Sequence, residues 1–181
     1  RTSSIPVIAV TSSGTNTISQ SRVIDWHAAL MYCACDESLP VDGSSINIIG
    51  FPEDTDNYIS GIIEASGIRI NAWLHETSSL SEWKQLPAGA VNIVPQKNLF
   101  PSILEKMANR SEAIEAPVPI GMKNTDMFLT AIASAMGLEQ KMPGIIAPAR
   151  KNAEKAATEL RRKCTGIRMG YNIGTNRNYV P

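Results

Sequence analysis

Residues 46–75, INIIGFPEDTDNYISGIIEASGIRINAWLH, predict one complete strand–helix–strand unit. The segment Ile46–Phe51 is short, β-branched and almost continuously apolar, as expected of a strand covered on both faces. The helix that follows places its isoleucines on one face: Ile59, Ile62 and Ile63. Gly67 stands where a glycine commonly ends a helix, and Ile68–Leu74 forms the next strand.

The rest of the chain repeats this alternation. Further strands are expected at residues 5–10, 90–94, 114–120 and 167–173. Helices are expected at residues 19–33, 80–86 and 100–108, from Gly121–Asp126 to about 136, and from Pro148 to about 164. Pro117 and Pro119 remove ladder donors, so segment 114–120 should be an edge or short strand. Strands alternating with helices predict an α/β, Rossmann-like three-layer α/β/α fold with a mostly parallel sheet.

The composition limits the classes of function. The chain has 181 residues, 43% of them hydrophobic, which suits one domain or one domain with appendages. Its 17 basic and 17 acidic side chains balance to a net charge of zero, so neither a nucleic-acid footprint nor a polybasic membrane patch is indicated. No apolar run reaches the roughly 18 residues that a membrane span needs. We therefore expect no nucleic-acid partner and no membrane partner.

Three cysteines, Cys33, Cys35 and Cys164, are too few and too odd in number for a disulfide framework, and they fit a reducing cytoplasm. The Cys33-x-Cys35 spacing invites a metal site. A structural role is favoured, because residues two apart at the end of a helix point to different faces and no histidine or further cysteine is near in sequence.

The ends of the chain suggest a piece of a longer polypeptide. It opens on Arg1 without a methionine, and it stops just beyond a predicted strand, where a further helix would begin. Residues 36–45, DESLPVDGSS, are a polar connector and a plausible domain boundary.

The carboxyl ends of parallel strands are the working ends of such a sheet, and the first of them is residues 50–56, GFPEDTD. A dinucleotide site would need bare backbone N–H groups there, but Pro52 has none and three carboxylates would repel a phosphate. Those carboxylates, Glu53, Asp54 and Asp56, could instead gather a cation. Capping of the next helix, by Asp54 or Thr55, explains them locally and is favoured.

The remaining candidates form no catalytic constellation. His27 and His75 have no serine, cysteine or carboxylate partner that the sequence can place, and no G-x-S-x-G nucleophile elbow is present. Trp26, Trp73 and Trp83 are interpreted as core or interface anchors, since no basic cluster surrounds them. We assign no catalytic and no metal-ligating residue to the chain.

Several segments match a known family in order along the chain. The most specific is residues 117–129, PVPIGMKNTDMFL. The others are Ile5–Gly14, Ile46–Phe51 with the following Asp54 and Asp56, Ala90–Val94, and Ile167–Gly174. The ordered set resembles component 1 of nitrogenase and the wider family of nitrogenase-like oxidoreductases, in which segment 117–129 is similar to a P-I-G-(x)-x-x-T-D-x-F-L stretch.

The resemblance implies a subunit of three Rossmann-like domains. Residues 1–45 would supply a strand and helix of a preceding domain, residues 46–146 the central domain, and residues 147–181 a linker helix and the first strand of a following domain. Proteins of this family are αβ-type assemblies of homologous subunits that take electrons from an ATP-dependent iron–sulfur reductase. The expected cofactor is an iron–sulfur or related metallocluster in the full-length protein, with none bound by this fragment, which alone is not catalytic.

The resemblance also proposes two cofactor-binding residues. Ser19-Gln20-Ser21 resembles a Ser-Gln-Ser of the catalytic subunit, whose glutamine approaches the metal cofactor, so Gln20 is one candidate. The cofactor-ligating cysteine falls near Pro95-Gln96, which makes Gln96 the second candidate. Neither Pro95 nor Gln96 can replace a thiolate. Ile24 stands where the family has a histidine, and the cluster-ligating cysteines would lie upstream of Arg1.

Two alternatives to a redox subunit stay open. One is a non-catalytic scaffold domain that holds a small molecule or a partner chain at its strand ends. The other is a small-molecule enzyme of flavodoxin-like shape.

Overall fold

A computed structural model describes residues 32–33, 35–75 and 78–166. The elements, in chain order, are β1 (Asp42–Ile49), α1 (Tyr58–Ala65), β2 (Arg69–Leu74), α2 (Leu80–Gln85), β3 (Gly89–Val94), α3 (Pro101–Met107), β4 (Glu112–Glu115), α4 (Gly121–Ala135) and α5 (Met142–Cys164). Single 3-10 turns occupy Leu86–Ala88 and Lys97–Leu99. The strands predicted at 5–10 and 167–173, and most of the helix predicted at 19–33, lie outside the described residues.

The four described strands form one parallel sheet in the order β2-β1-β3-β4. The central pair is in register over Ile46–Ile48 of β1 and Val91–Ile93 of β3. Among the described strands β4 lies at an edge and is short, as predicted for segment 114–120, but it starts two residues earlier, at Glu112, and ends at Glu115, before the prolines. Helices cover both faces, so the predicted Rossmann-like three-layer α/β/α fold is confirmed.

The side chains of the central strands are divided between two hydrophobic cores, one on each face of the sheet. The core shared with α1, α4 and α5 is built on these strand residues: Ile46, Ile48, Val91 and Ile93. The core shared with α2 and α3 contains these side chains: Ile49, Val94, Trp83, Ile103 and Met107. Because β1 and β3 contribute to both cores, their sequences are apolar nearly throughout, which is the pattern that made them predictable.

A chain of amide hydrogen bonds interrupts the apolar pattern of the two central strands. Asn47 Nδ2 donates to Asn92 Oδ1 at 2.8 Å and to the Leu86 carbonyl at 2.9 Å. Asn71 donates to Asn47 Oδ1 at 2.7 Å, and Asn92 donates to Ser111 Oγ at 2.6 Å. Asn47 and Asn92 are fully buried, so these bonds offset the cost of removing both amides from water.

The connector before β1 is fixed by one arginine. Arg110, which follows α3, donates to the carbonyl oxygens of Glu37 at 2.9 Å and Leu39 at 2.6 Å. β1 begins at Asp42, four residues before the predicted start, so part of the expected connector belongs to the strand. Asp42 there accepts two hydrogen bonds from Arg69 at the start of β2.

The last helix starts earlier than expected. The sequence predicted its start at Pro148, but α5 runs without interruption from Met142 to Cys164, with Pro148 inside it. Met142 is buried and Ile146 packs against the same core, so tertiary contacts stabilise the turns that precede the proline. A proline there removes one helical hydrogen bond, which this packing offsets. None of the described helices combines the length and apolarity needed to cross a membrane.

Candidate functional site

The sheet order places a topological switch point between β1 and β3. The chain leaves β1 toward β2 on one side and returns to β3 on the other. In parallel α/β sheets, ligands bind in the crevice outside the carboxyl ends of the strands at such a point. The loops that border it are residues 50–57, after β1, and residues 95–100, after β3.

A side chain of the protein itself fills this crevice. Gly50 has a left-handed backbone (φ 78°), and a Cβ built on it would lie 2.3 Å from Cζ of Phe100. The Phe100 ring therefore rests directly on the Gly50 backbone, and the side chain is only 4% exposed. The backbone that would have to approach a phosphate is covered by a phenyl ring, so the geometry agrees with the sequence argument against a dinucleotide.

One of the carboxylates after β1, that of Asp54, caps the following helix. Asp54 accepts hydrogen bonds from the backbone N–H groups of Tyr58, at 3.1 Å, and Ser60, at 2.7 Å. The N-cap residue itself is Asn57, in a left-handed conformation (φ 53°), so the predicted cap at Asp54 or Thr55 was wrong in position. The capping role of the Asp54 carboxylate is confirmed, because a carboxylate from outside the helix satisfies its first N–H groups.

Gln96, the second cofactor candidate, lies on the rim of this crevice. Its side chain is exposed, and its carbonyl accepts from Leu99 N–H at 3.2 Å in the turn after β3. The same turn is held to the end of β4, because Lys97 N–H donates to the Glu115 carboxylate at 2.7 Å. Gln20, the first candidate, lies outside the described residues, so the structure gives no distance between Gln20 and Gln96.

The segment after β2 is held by local hydrogen bonds. His75 N–H donates to Ser78 Oγ at 3.0 Å. Ser79 and Glu82 form a capping box at the start of α2, and hydrogen bonds from Ser79 hold the pKa of Glu82 below its usual range. Trp83 is buried, which confirms its interpretation as a core anchor. These residues stabilise the edge of the site.

The residues of segment 117–129, the most specific motif of the sequence, have structural roles in the fold. Gly121 has a positive φ of 75° at the first residue of α4, a conformation that favours glycine. Thr125 Oγ1 donates to the Pro119 carbonyl at 3.2 Å, and Asp126 forms an ion pair with Arg150 of α5. Phe128 is fully buried. The sequence pattern places Met127 or Phe128 on the inner face of this helix, and the burial of Phe128 agrees with it. The ion pair of Asp126 was not predicted, because Arg150 lies on another helix.

A shallow groove of about 230 Å³ lies where α1, α4 and α5 meet. The groove is lined in part by Tyr58, Met122 and the Asp126–Arg150 ion pair. Its other walls include these apolar side chains: Ile62, Leu129, Ile146, Ala149 and Ala153. The Tyr58 hydroxyl donates to the Ala149 carbonyl at 3.3 Å, so the polar groups of this groove are already engaged with one another.

The described residues do not supply a site for a metallocluster. Within them, no three histidine, cysteine or acidic side chains converge as metal ligands would. Pro95 and Gln96, at the position where the resemblance would put a thiolate, offer an amide that can hydrogen-bond but cannot replace sulfur as an iron ligand. The donor set of residues 32–33, 35–75 and 78–166 therefore does not fit an iron–sulfur cluster, and we derive no step through one.

Comparison with known proteins gave one family. The model for nitrogenase component 1 type oxidoreductases matches residues 1–171, nearly the whole chain. No curated protein matches the chain.

Proposed function

We propose a function from the family to which the chain belongs, the nitrogenase component 1 type oxidoreductases. The chain forms part of a subunit of a metallocluster-dependent reductase, or of a related scaffold on which a metallocofactor is assembled. The extent of the family match is the observation that carries this proposal. The structural roles of Gly121, Thr125 and Phe128 support the family assignment, since they give a physical reason for three positions of the motif that the sequence shares with the family.

In this proposal the described residues position a cofactor rather than ligate it. The central Rossmann-like domain comprises residues 46–146, with a strand and helix of a preceding domain in residues 1–45. Residues 147–181 supply the linker and the first strand of a following domain. Helix α5 crosses the proposed boundary between residues 146 and 147, so one continuous helix would orient the following domain relative to the central domain.

Gln20 and Gln96 are the two residues proposed to contact the cofactor. An amide can donate a hydrogen bond to a sulfide or to an organic ligand of a cluster, and such outer contacts orient a metal centre without binding the metal. The thiolate ligands would come from residues that belong to the full-length protein. Gln96 lies on the exposed rim at the switch point, where a cofactor held by a neighbouring domain could reach it.

The proposed partners follow from the family. They are a homologous subunit in an αβ-type assembly and an ATP-dependent iron–sulfur reductase that delivers electrons. The proposed compartment is the cytoplasm, where cysteines stay reduced.

The test uses the full-length protein, purified without oxygen. We expect iron and acid-labile sulfide to copurify with it, and a complex with a homologous subunit on size exclusion. In Gln96→Ala the metal content should persist while the spectrum of the cluster shifts, and Asn98→Ala in the same exposed turn is the matched control. A full-length protein without metal and without a reductase partner would refute the redox proposal.

A second candidate is a non-catalytic scaffold that binds a partner chain. The observation that favours it is the filled crevice at the switch point, where Phe100 covers Gly50. Copurification of a partner protein with a metal-free full-length chain would support this candidate over the first.

A further inference from the structure

The connector before β1 links the two residues that are proposed to contact the cofactor. Gln20 belongs to residues 1–45 and Gln96 to the turn after β3, and the chain passes from one to the other through residues 36–41. Segments on either side of a flexible connector change their relative orientation freely, whereas a fixed connector limits that motion. The contacts of this connector therefore bear on the proposed cofactor site.

Packing alone does not fix the connector. Of residues 36–41, Leu39 is half-buried and the other five are exposed. Asp36 N–H donates to the Lys84 carbonyl at 3.2 Å, and Leu39 N–H closes a turn by donating to the Asp36 carbonyl at 3.2 Å. An exposed segment with so little apolar contact depends on its hydrogen bonds for its order.

Arg110 supplies the hydrogen bonds that join the connector to the central domain. Its side chain is half-buried, and Nη1 donates to the Glu37 carbonyl at 2.9 Å while Nη2 donates to the Leu39 carbonyl at 2.6 Å. Nε and Nη2 also donate to the carbonyl of Pro87, each at 3.4 Å, and Pro87 is buried in the turn before β3. One guanidinium thus holds the connector against the body of the domain.

A guanidinium suits this position for a geometric reason. Its N–H donors diverge in a fixed, planar fork, so it bonds the Glu37 and Leu39 carbonyls at the same time, whereas a lysine ammonium is a compact point of charge. Hydrogen bonds from a charged donor are also stronger than those between neutral groups. Because both carbonyls belong to the connector, loss of this donor should release the connector and leave the sheet intact.

We propose that Arg110 is a positioning residue: by holding the connector, it fixes the orientation of the residues that precede it, Gln20 among them, relative to the central domain that carries Gln96. The role of Arg110 at the cofactor rests on the proposed function. The hold of Arg110 on the connector is independent of any cofactor and can be measured without one.

Hydrogen exchange of the full-length protein, with labelling from milliseconds onward, measures the hold on the connector. We expect Arg110→Gln to speed exchange in residues 36–41 about tenfold or more, the factor that loss of one hydrogen bond to a charged group gives. Peptides of β1 and β3 should exchange at the wild-type rate. Arg110→Lys should fall between wild type and Arg110→Gln, and Arg161→Gln, which removes an exposed arginine of α5, should change nothing.

The spectrum of the bound metallocluster measures the positioning. In Arg110→Gln the metal content should persist while the spectral lines broaden, because the cofactor meets Gln20 and Gln96 in a range of arrangements. Arg110→Lys should restore part of the wild-type line width, and Arg161→Gln should keep all of it.

Two results would overturn the proposal: wild-type exchange of residues 36–41 in Arg110→Gln, or faster exchange there with an unchanged line width. If Arg110→Gln also speeds exchange in β1 and β3, Arg110→Lys decides, and an equal increase in all three segments of that variant would reduce the role of Arg110 to fold stability. A full-length protein without metal would refute the proposed function, and the exchange of residues 36–41 would still decide whether Arg110 holds the connector.

Discussion

The ring of Phe128 meets the ring of Phe51 edge to face, with centroids 5.1 Å apart and planes inclined by 66°. Phe51 lies two residues after the end of β1, and Phe128, in α4, belongs to the motif of residues 117–129. Both side chains are fully buried. The contact therefore joins the stretch that decides the fold to the stretch that identifies the family.

Truncation of this aromatic pair should be among the most destabilising changes in the domain. We expect Phe128→Ala to lower the free energy of unfolding by about 3–5 kcal/mol, through lost burial and the cavity left behind. Urea denaturation of the chain measures the loss. Met127→Ala, on the same helix but 49% exposed, should change stability by no more than about 0.5 kcal/mol.

The same pair allows a double-mutant cycle. Phe51→Ala and Phe128→Ala together should cost less than the sum of the single changes, with a coupling of about 0.5–1.5 kcal/mol beyond the shared cavity term. Strict additivity would show that the two rings do not contact in solution.

Two glycines with similar left-handed backbones allow the energetic cost of backbone strain to be measured apart from the cost of steric overlap. Gly50 (φ 78°) lies against the Phe100 ring, whereas a Cβ on Gly121 (φ 75°) meets nothing within 4 Å. Gly121→Ala should cost about 1–2 kcal/mol, the penalty of a left-handed backbone for a residue with a Cβ. Gly50→Ala should cost more, because the ring must also move. Thermal denaturation of both variants in a Phe100→Ala background should bring the two penalties together, and a persisting gap would contradict the proposed contact.

A third prediction concerns the buried amide chain. A Cβ on Gly89 would lie 2.3 Å from Nδ2 of Asn47, although the backbone of Gly89 is extended and suits alanine. Gly89→Ala should therefore destabilise the fold by about 1–3 kcal/mol through overpacking.

The Asn47→Ala background tests the cause of that penalty. Asn47→Ala alone should cost about 1–3 kcal/mol, since it leaves the buried Oδ1 of Asn92 without the donor that Asn47 supplies. In this background Gly89→Ala should cost less than about 0.5 kcal/mol, because the atoms it would overlap are gone. An unchanged penalty would place the clash elsewhere.

A fourth prediction concerns acid. Hydrogen bonds from Ser44, followed by the Arg69 guanidinium, lower the pKa of Asp42 to about 2. A carboxyl with a depressed folded-state pKa stabilises the fold fully above its unfolded pKa of about 3.9, and this contribution is lost as the pH falls through the folded pKa. The urea midpoint should therefore fall between about pH 4 and 2, and Asp42→Asn should remove that part of the dependence.

The two partners of Asp42 can be tested by NMR titration of its carboxyl carbon. Ser44→Ala and Arg69→Gln should each raise the pKa of Asp42 without restoring its ordinary value, because Ser44→Ala keeps the backbone N–H bond of residue 44 and Arg69→Gln keeps both hydrogen bonds from Ser44. A pKa of Asp42 that Ser44→Ala leaves unchanged would contradict the hydrogen bond from the Ser44 hydroxyl.

Local pattern predicted most of the elements but misplaced the N-cap of α1. The isoleucines of β1 and α1 marked a buried strand and an amphipathic helix, and both formed. The N-cap of α1 was misplaced, because the Asp54 carboxylate reaches forward to Tyr58 and Ser60 while Asn57 adopts the left-handed turn. The sequence predicts a helix start at Pro148, but the helix begins at Met142, because core contacts of Met142 and Ile146 stabilise the turns before the proline.

For the site, sequence and structure contributed different parts. The carboxylates and Pro52 after β1 argued against a phosphate, and the structure added a cause that the sequence did not contain, the Phe100 ring on Gly50. The hydrogen bond from Arg110 to the Glu37 carbonyl joins residues 73 positions apart, so no spacing rule could reveal it. The family resemblance alone proposes Gln96 as a cofactor contact, and the structure places its exposed side chain in the turn after β3.

By itself, the sequence determined the α/β alternation, the parallel sheet and the family, because these depend on periodicity, turn residues and ordered motifs that are local along the chain. The tertiary structure alone decided which residues meet: Phe51 with Phe128, Asn47 with Asn92, and Phe100 with Gly50. These contacts join residues far apart in the chain, and their existence depends on strand order and helix packing. They determine whether the carboxyl edge of the sheet is open to a ligand, and in the described residues Phe100 closes it at the switch point.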